Sequence, residues 1–97
     1  MFAVHCRDNA SMEQVRLNNR PAHLEYIKGS GSSIVAAGPL IGPDGHAVGG
    51  FFLLDVANLA AAEDWAAKDP FRALELYGSV EIQEWKYVFG SGLEPRP

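Results

Sequence analysis

Apolar and polar positions alternate over residues 2–7. Phe2, Val4 and Cys6 fall on one side and Ala3, His5 and Arg7 on the other, the period of a strand with one buried face. Asp8-Asn9-Ala10-Ser11 supplies turn and cap chemistry, and Ser11 followed three residues later by Gln14 resembles a capping box. Met12 and Val15 give the apolar side of a short first helix. Pro21 interrupts what would otherwise be one helical run from about Ser11 to Lys28. Proline costs roughly 3 kcal/mol in a helix interior and almost nothing at the first helical position. The pattern therefore predicts a turn at Asn18-Asn19-Arg20 and a second helix opened by Pro21, with Leu24 and Ile27 on its apolar face and Gly29-Ser30-Gly31 at its end.

From Ser32 to Leu40 the chain is β-branched and small, a second strand in which Gly38-Pro39 either stops regular pairing or confines it to a sheet edge. Gly42-Pro43-Asp44-Gly45 is a strong turn signal, and a third strand runs from Val48 to Val56. Asn58 caps a helix whose Leu59, Ala62, Trp65 and Ala66 form an apolar stripe. Asp69-Pro70 opens another short helix, with Phe71, Leu74 and Tyr77 expected inward. The last strand, Ser79 to Phe89, carries Val80 and Ile82 on one face and Trp85, Tyr87 and Phe89 on the other. That change of side predicts a bulge near Gln83-Glu84, or a sheet covered on both faces.

The order β, α, β, β, α, β with short connections is that of an α+β, ferredoxin-like fold: a four-stranded antiparallel sheet with helices on one face. Residues 1–90 form a single domain, and 91–97 read as a flexible C-terminal tail. Phe51, Phe52 and Leu54 together with the aromatics of the last strand exceed what one layer of helices covers. A homodimer joined through its sheet faces, of the dimeric α+β barrel type, is therefore expected.

Charge and cysteine content narrow the partners. The formal charge is −4, and no two Lys or Arg residues are adjacent, which disfavours nucleic acid and acidic membrane surfaces. No basic start leads into a long apolar run, and nothing approaches the ~18 consecutive apolar residues of a membrane span, so a cytoplasmic location is expected. With Cys6 the only cysteine, one chain can form neither an internal disulfide nor a thiolate metal cluster. His5, Cys6 and His46 make a poor metal site, because adjacent strand residues face opposite ways. Gly29-Ser30-Gly31-Ser32-Ser33 looks like a phosphate loop but follows a helix and precedes a strand, the reverse of the required context, and reads as a cap and turn. Neither a metal nor an organic cofactor is called for.

Two residues carry candidate chemistry. His23, in the first turn of the predicted second helix, is either a polar filler or a general base, kept neutral by the positive end of the helix dipole. Asp69 is either the N-cap of the helix opened by Pro70 or the carboxylate that fixes the histidine tautomer. Arg20, one turn before His23, is either solvated or holds an anionic substrate group. Gly38 and Pro39 terminate a strand, although a backbone without side chains there also lets a ligand approach.

Taken in order, Arg20-Pro21-Ala22-His23-Leu24, Ala37-Gly38-Pro39-Leu40, Lys68-Asp69-Pro70-Phe71 and Glu84-Trp85-Lys86-Tyr87-Val88-Phe89 resemble the YciI-like, or YCII-related, family over about residues 2–89. The resemblance implies a ferredoxin-like α+β fold, usually dimeric, with a histidine and an aspartate proposed as a catalytic pair; these correspond to His23 and Asp69. One branch of that family is linked to removal of chloride from a chlorinated hydroxyquinol, and the fold is shared with muconolactone isomerases, but no residue here ties the chain to either substrate. The expectation is a dimeric lyase or isomerase moving a proton on a small cyclic oxygenated substrate. Its alternative is a non-catalytic module that binds a small molecule or a partner.

Overall fold

The computed structural model describes residues 1–93; of the expected tail, residues 94–97 lie outside the described part. The elements are β1 (Phe2–Asp8), α1 (Glu13–Gly29), β2 (Ile34–Ile41), β3 (Ala47–Leu54), α2 (Leu59–Ala67), α3 (Pro70–Ala73) and β4 (Tyr77–Glu84), with a 3-10 turn at Gly31–Ser33 before β2. The strands form one antiparallel sheet in the order β2-β3-β1-β4. This is the ferredoxin-like arrangement.

Register decides which face is which. Val4 lies opposite Phe52 on β3 and Ile82 on β4, and Phe2 lies opposite Leu54, so these side chains share a face. Phe2, Val4, Cys6, Phe52 and Leu54 pack there with Ala62, Trp65 and Ala66 of α2 into the core, against which Tyr26 and Ile27 of α1 also rest. The helices therefore cover this face. Asn58 caps α2 as expected, its side chain accepting from the Ala61 N–H at 2.9 Å. Ser30 ends α1, accepts a bond from the Trp65 indole N–H at 2.8 Å and donates to the Tyr26 carbonyl, a cap-and-turn role that also ties α1 to α2.

The predicted break in the first helix is not present. α1 is continuous through Pro21, Met12 rather than Ser11 stands at its start without a side-chain cap, and Ser11 has φ 63°. The reason is tertiary. Arg16 and His23, seven residues apart and so on one face, are the buried residues of α1; Arg16 is bonded to Asp8 and His23 to Asp69. Charge-assisted hydrogen bonds contribute about 1.5–3 kcal/mol each, so two such anchors offset the ~3 kcal/mol cost of an interior proline. Pro21 and Leu17, whose carbonyl loses its donor, are both exposed, where water substitutes.

Three other boundaries differ from expectation. The last strand ends at Glu84, so Trp85, Tyr87 and Phe89 lie beyond it, and the irregularity in its pairing falls at Arg7/Asp8 instead of near Gln83-Glu84. α3 is a single turn; Leu74 is partly exposed, and Tyr77 opens β4. Gly38-Pro39 lies inside β2, which is an edge strand, where a residue without an N–H is tolerated. The hairpin turn forms as expected, with Gly42 N–H donating to the His46 carbonyl at 2.8 Å and Gly45 at φ 86°.

Candidate active site

The centre of the site is Asp69. As the N-cap of α3 it accepts the Phe71 backbone N–H at Oδ1, 3.0 Å, a first-turn donor with no acceptor inside the helix, while Pro70 before it has no N–H to satisfy. The same Oδ1 lies 2.8 Å from His23 Nδ1, and Oδ2 accepts the Tyr77 hydroxyl at 2.8 Å. Both sequence alternatives for Asp69 therefore hold together: it caps the helix and contacts the histidine. Three donors converge on a carboxylate that is 2% exposed. A carboxylate that only accepts places the shared proton on His23 Nδ1 and leaves Nε2 as a lone pair.

His23 itself is 7% exposed. Its ring stacks on Phe71, with centroids 4.1 Å apart and planes 9° from parallel, and meets Phe52 edge-on at 5.7 Å. No buried side-chain nitrogen or oxygen among the described residues lacks a partner, and Asp69 occupies Nδ1; Nε2 is thus the nitrogen reached from the cavity that His23 lines. The expected placement of His23 in a first helical turn is corrected: it is the eleventh residue of the seventeen in α1. Asp69, and not a helix terminus, fixes the ring.

The cavity has a volume of about 250 Å³ and lies between α1 and the β2–β3 side of the sheet. Arg20 lines it one turn before His23, and Gly38 and Pro39 of β2 form part of its wall, so all three residues singled out for substrate binding are brought to it. Gly50 of β3, opposite Pro39, completes that side, and a Cβ there would come within 3.0 Å of the Phe52 ring. Asp69 does not line the cavity and stands behind the imidazole.

Two participants were missed at the sequence level. Arg16 lines the cavity while its guanidinium is held by both Asp8 oxygens, Nε to Oδ2 at 2.7 Å and Nη2 to Oδ1 at 2.8 Å, and lies 4.9 Å from the Phe71 ring centroid. Burial works against its charge, but the Asp8 bonds outweigh this and raise its pKa. A helix read as continuous would have put it on the face of His23. Tyr77 was assigned to a helix and left without a role; burial first, then the Asp69 charge and hydrogen bond, push its hydroxyl well above the ordinary tyrosine range, so it stays a donor. Burial and the Asp69 charge likewise push the Cys6 thiol up to about 12. His5 and Cys6 face opposite ways as expected, and His46 is exposed and paired with Asp44.

Residues 1–86 match the family described as the YCII-related domain. The chain belongs to that family. Among YCII-related proteins it is 30% identical over 97 residues to Protein YciI of Escherichia coli O6:H1, covering 92% of this chain and 99% of the relative, and equally to that of Shigella flexneri. An uncharacterized protein of Haemophilus influenzae is 29% identical, covering 91% and 98%. A solved structure, 5-chloro-2-hydroxyhydroquinone dehydrochlorinase (TftG) from Burkholderia phenoliruptrix in complex with 2,5-dihydroxybenzoquinone, superposes with a TM-score of 0.83 at 25% identity, covering 90% of this chain and 94% of that one. No helix among the described residues is long and apolar enough to cross a membrane.

Proposed function

We propose that this YCII-related chain is a small-molecule enzyme of lyase or isomerase type, in which His23 transfers a proton on a small cyclic oxygenated organic substrate and Asp69 orients the ring. The observation that supports it is the 2.8 Å contact between His23 Nδ1 and Asp69 Oδ1 with the opposite nitrogen turned to a cavity. Nε2 takes a proton from a C–H or O–H of the substrate. The electron pair left behind either expels a leaving group or moves within the ring system and is reprotonated elsewhere by the imidazolium, which Asp69 stabilises meanwhile. The likeness to a dehydrochlorinase bound to a dihydroxybenzoquinone supports a substrate of this kind. Arg20, Gly38 and Pro39 would contact it. Comparing wild type with His23→Ala on a panel of hydroxylated and chlorinated aromatics and lactones tests the proposal: a loss of roughly 10²–10⁴ in rate is expected. Equal turnover by the two proteins overturns it, and a ligand bound and recovered unchanged by both favours a binding module.

The same reading includes a homodimer joined through the sheet faces. Its support is the face away from the helices, where Phe51 of β3, opposite His5, remains 39% exposed. Sedimentation of wild type and Phe51→Glu checks this: a dimer that the charged variant dissociates is expected, and a monomeric wild type refutes it.

A further inference from the structure

The charged side chains facing the cavity have one sign. Arg16, Arg20 and His23 line it, and among the described residues no carboxylate, hydroxyl or side-chain amide does, although the whole chain carries 12 acidic and 8 basic residues. A ligand here meets two guanidinium groups and the Nε2 lone pair of His23, and no negative charge among the described residues. The two arginines are not equivalent. Arg16 is compensated by Asp8, whose carboxylate accepts two of its N–H bonds, whereas Arg20 makes no hydrogen bond or ion pair among the described residues. Its charge and its fork of donors are free to meet a ligand.

We propose that the cavity takes an anion, a single-ring compound whose ionised carboxylate or phenolate-type oxygen is held by the Arg20 guanidinium while its ring lies among Phe52, Phe71 and Pro39. The proposal names the substrate class of the site described above and rests on that reading for the identity of the site. Size agrees: a cavity of about 150 Å³ accommodates benzene, so 250 Å³ admits a substituted ring. Position agrees as well. Arg20 and His23 are three residues apart on α1 and hence neighbours on its surface, so an oxyanion seated on the first brings the adjoining ring atom to Nε2 of the second. The aromatic and proline walls lower the local dielectric and strengthen the guanidinium–oxyanion attraction. On this arrangement Arg20 also holds the charge that develops when His23 removes a proton from the ring system.

Benzoate and its neutral isostere benzamide separate charge from shape. Their binding is followed by NMR titration of the full chain. Wild type is expected to bind benzoate at least roughly tenfold more tightly than benzamide, a difference typical of one charge-assisted contact. Added salt should weaken benzoate alone. Arg20→Gln should bring the two ligands within about twofold, and Arg20→Lys should restore part of the preference. Arg20 is exposed, so neither variant endangers the fold. Equal binding of the two ligands by wild type, a preference surviving Arg20→Gln, or no perturbation of cavity resonances by either ligand overturns the proposal. An anion preference that depends on Arg20, beside turnover that ignores His23→Ala, removes the acid-base reading alone; turnover that depends on His23, with no anion preference, removes this inference alone.

Discussion

Replacing Asp69 by asparagine tests the geometry of the site without a substrate. Oδ1 serves two donors, His23 Nδ1 and the Phe71 N–H, and Oδ2 serves one, the Tyr77 hydroxyl. An asparagine oxygen at the first position keeps both donors, and the new NH2 faces Tyr77, whose hydroxyl turns round to accept. No polar group is orphaned, and only charge assistance is lost, so Asp69→Asn should cost about 1–2 kcal/mol in urea denaturation. Asp69→Ala instead strands three buried donors at about 1–3 kcal/mol each. That sum, roughly 3–9 kcal/mol, is comparable to the whole stability of such a domain, about 5–15 kcal/mol. The alanine variant should be largely unfolded while the asparagine variant folds. Long-range nitrogen NMR of the imidazole gives the sharper reading: wild type should hold its proton on Nδ1, and in Asp69→Asn that preference should weaken. A wild-type ring protonated at Nε2, or an Asp69→Ala protein as stable as Asp69→Asn, would refute the reasoning.

Pro21→Ala should stabilise the protein by about 1–2 kcal/mol, because the regained bond to the Leu17 carbonyl, up to ~3 kcal/mol, exceeds the unfolded-state entropy that proline removes, ~1 kcal/mol; urea midpoints check it, and unchanged stability contradicts it. Stability should fall above pH 9. Cys6, raised from 9.0 to about 12, and Tyr77, also raised, are protonated in the folded chain when the unfolded chain has lost those protons, so their contribution is complete below pH 9 and is lost as pH climbs toward 12. Three pKa units set an upper limit for Cys6 of about 4 kcal/mol. Cys6→Ala should lose less stability between pH 8 and about pH 10.5 than wild type does; equal losses would count against the assignment.

Where a residue's role rests on its neighbours in sequence, the pattern showed it: the β1 alternation, the Gly42–Gly45 turn, the Asn58 cap and the Asp69-Pro70 helix opening are all local. The topology followed from the order of such elements. What failed was non-local. Pro21 looked like a break because the two bonds that offset it join α1 to β1 and α3, and Arg16 went unremarked because the inward stripe of α1 is polar where it approaches the site. His23 and Asp69 were joined as a pair by the family resemblance alone; their contact spans 46 positions, and no spacing or pattern shows it without the fold. The change of side after Ile82 was real in sequence; its cause, a strand ending at Glu84, could be seen only in the pairing with β1.

The arrangement separates what must be rigid from what can vary. His23 is fixed from below by Asp69, which is fixed in turn by a helix cap and by Tyr77 at the start of β4, while Phe71 stacks against the ring. None of these bonds involves β2. The edge strand meets the cavity through Ala37, Gly38 and Pro39, positions with small side chains or none beyond the proline ring, and β3 through Gly50 and the Phe52 ring that meets the imidazole edge-on. Substitutions on the β2 part of that wall would reshape the space for a ligand and leave the His23–Asp69 contact in place. On the function and ligand class proposed above, such a fold would pass one histidine–aspartate device among different small rings, with Arg20 at the same helix turn selecting for charge.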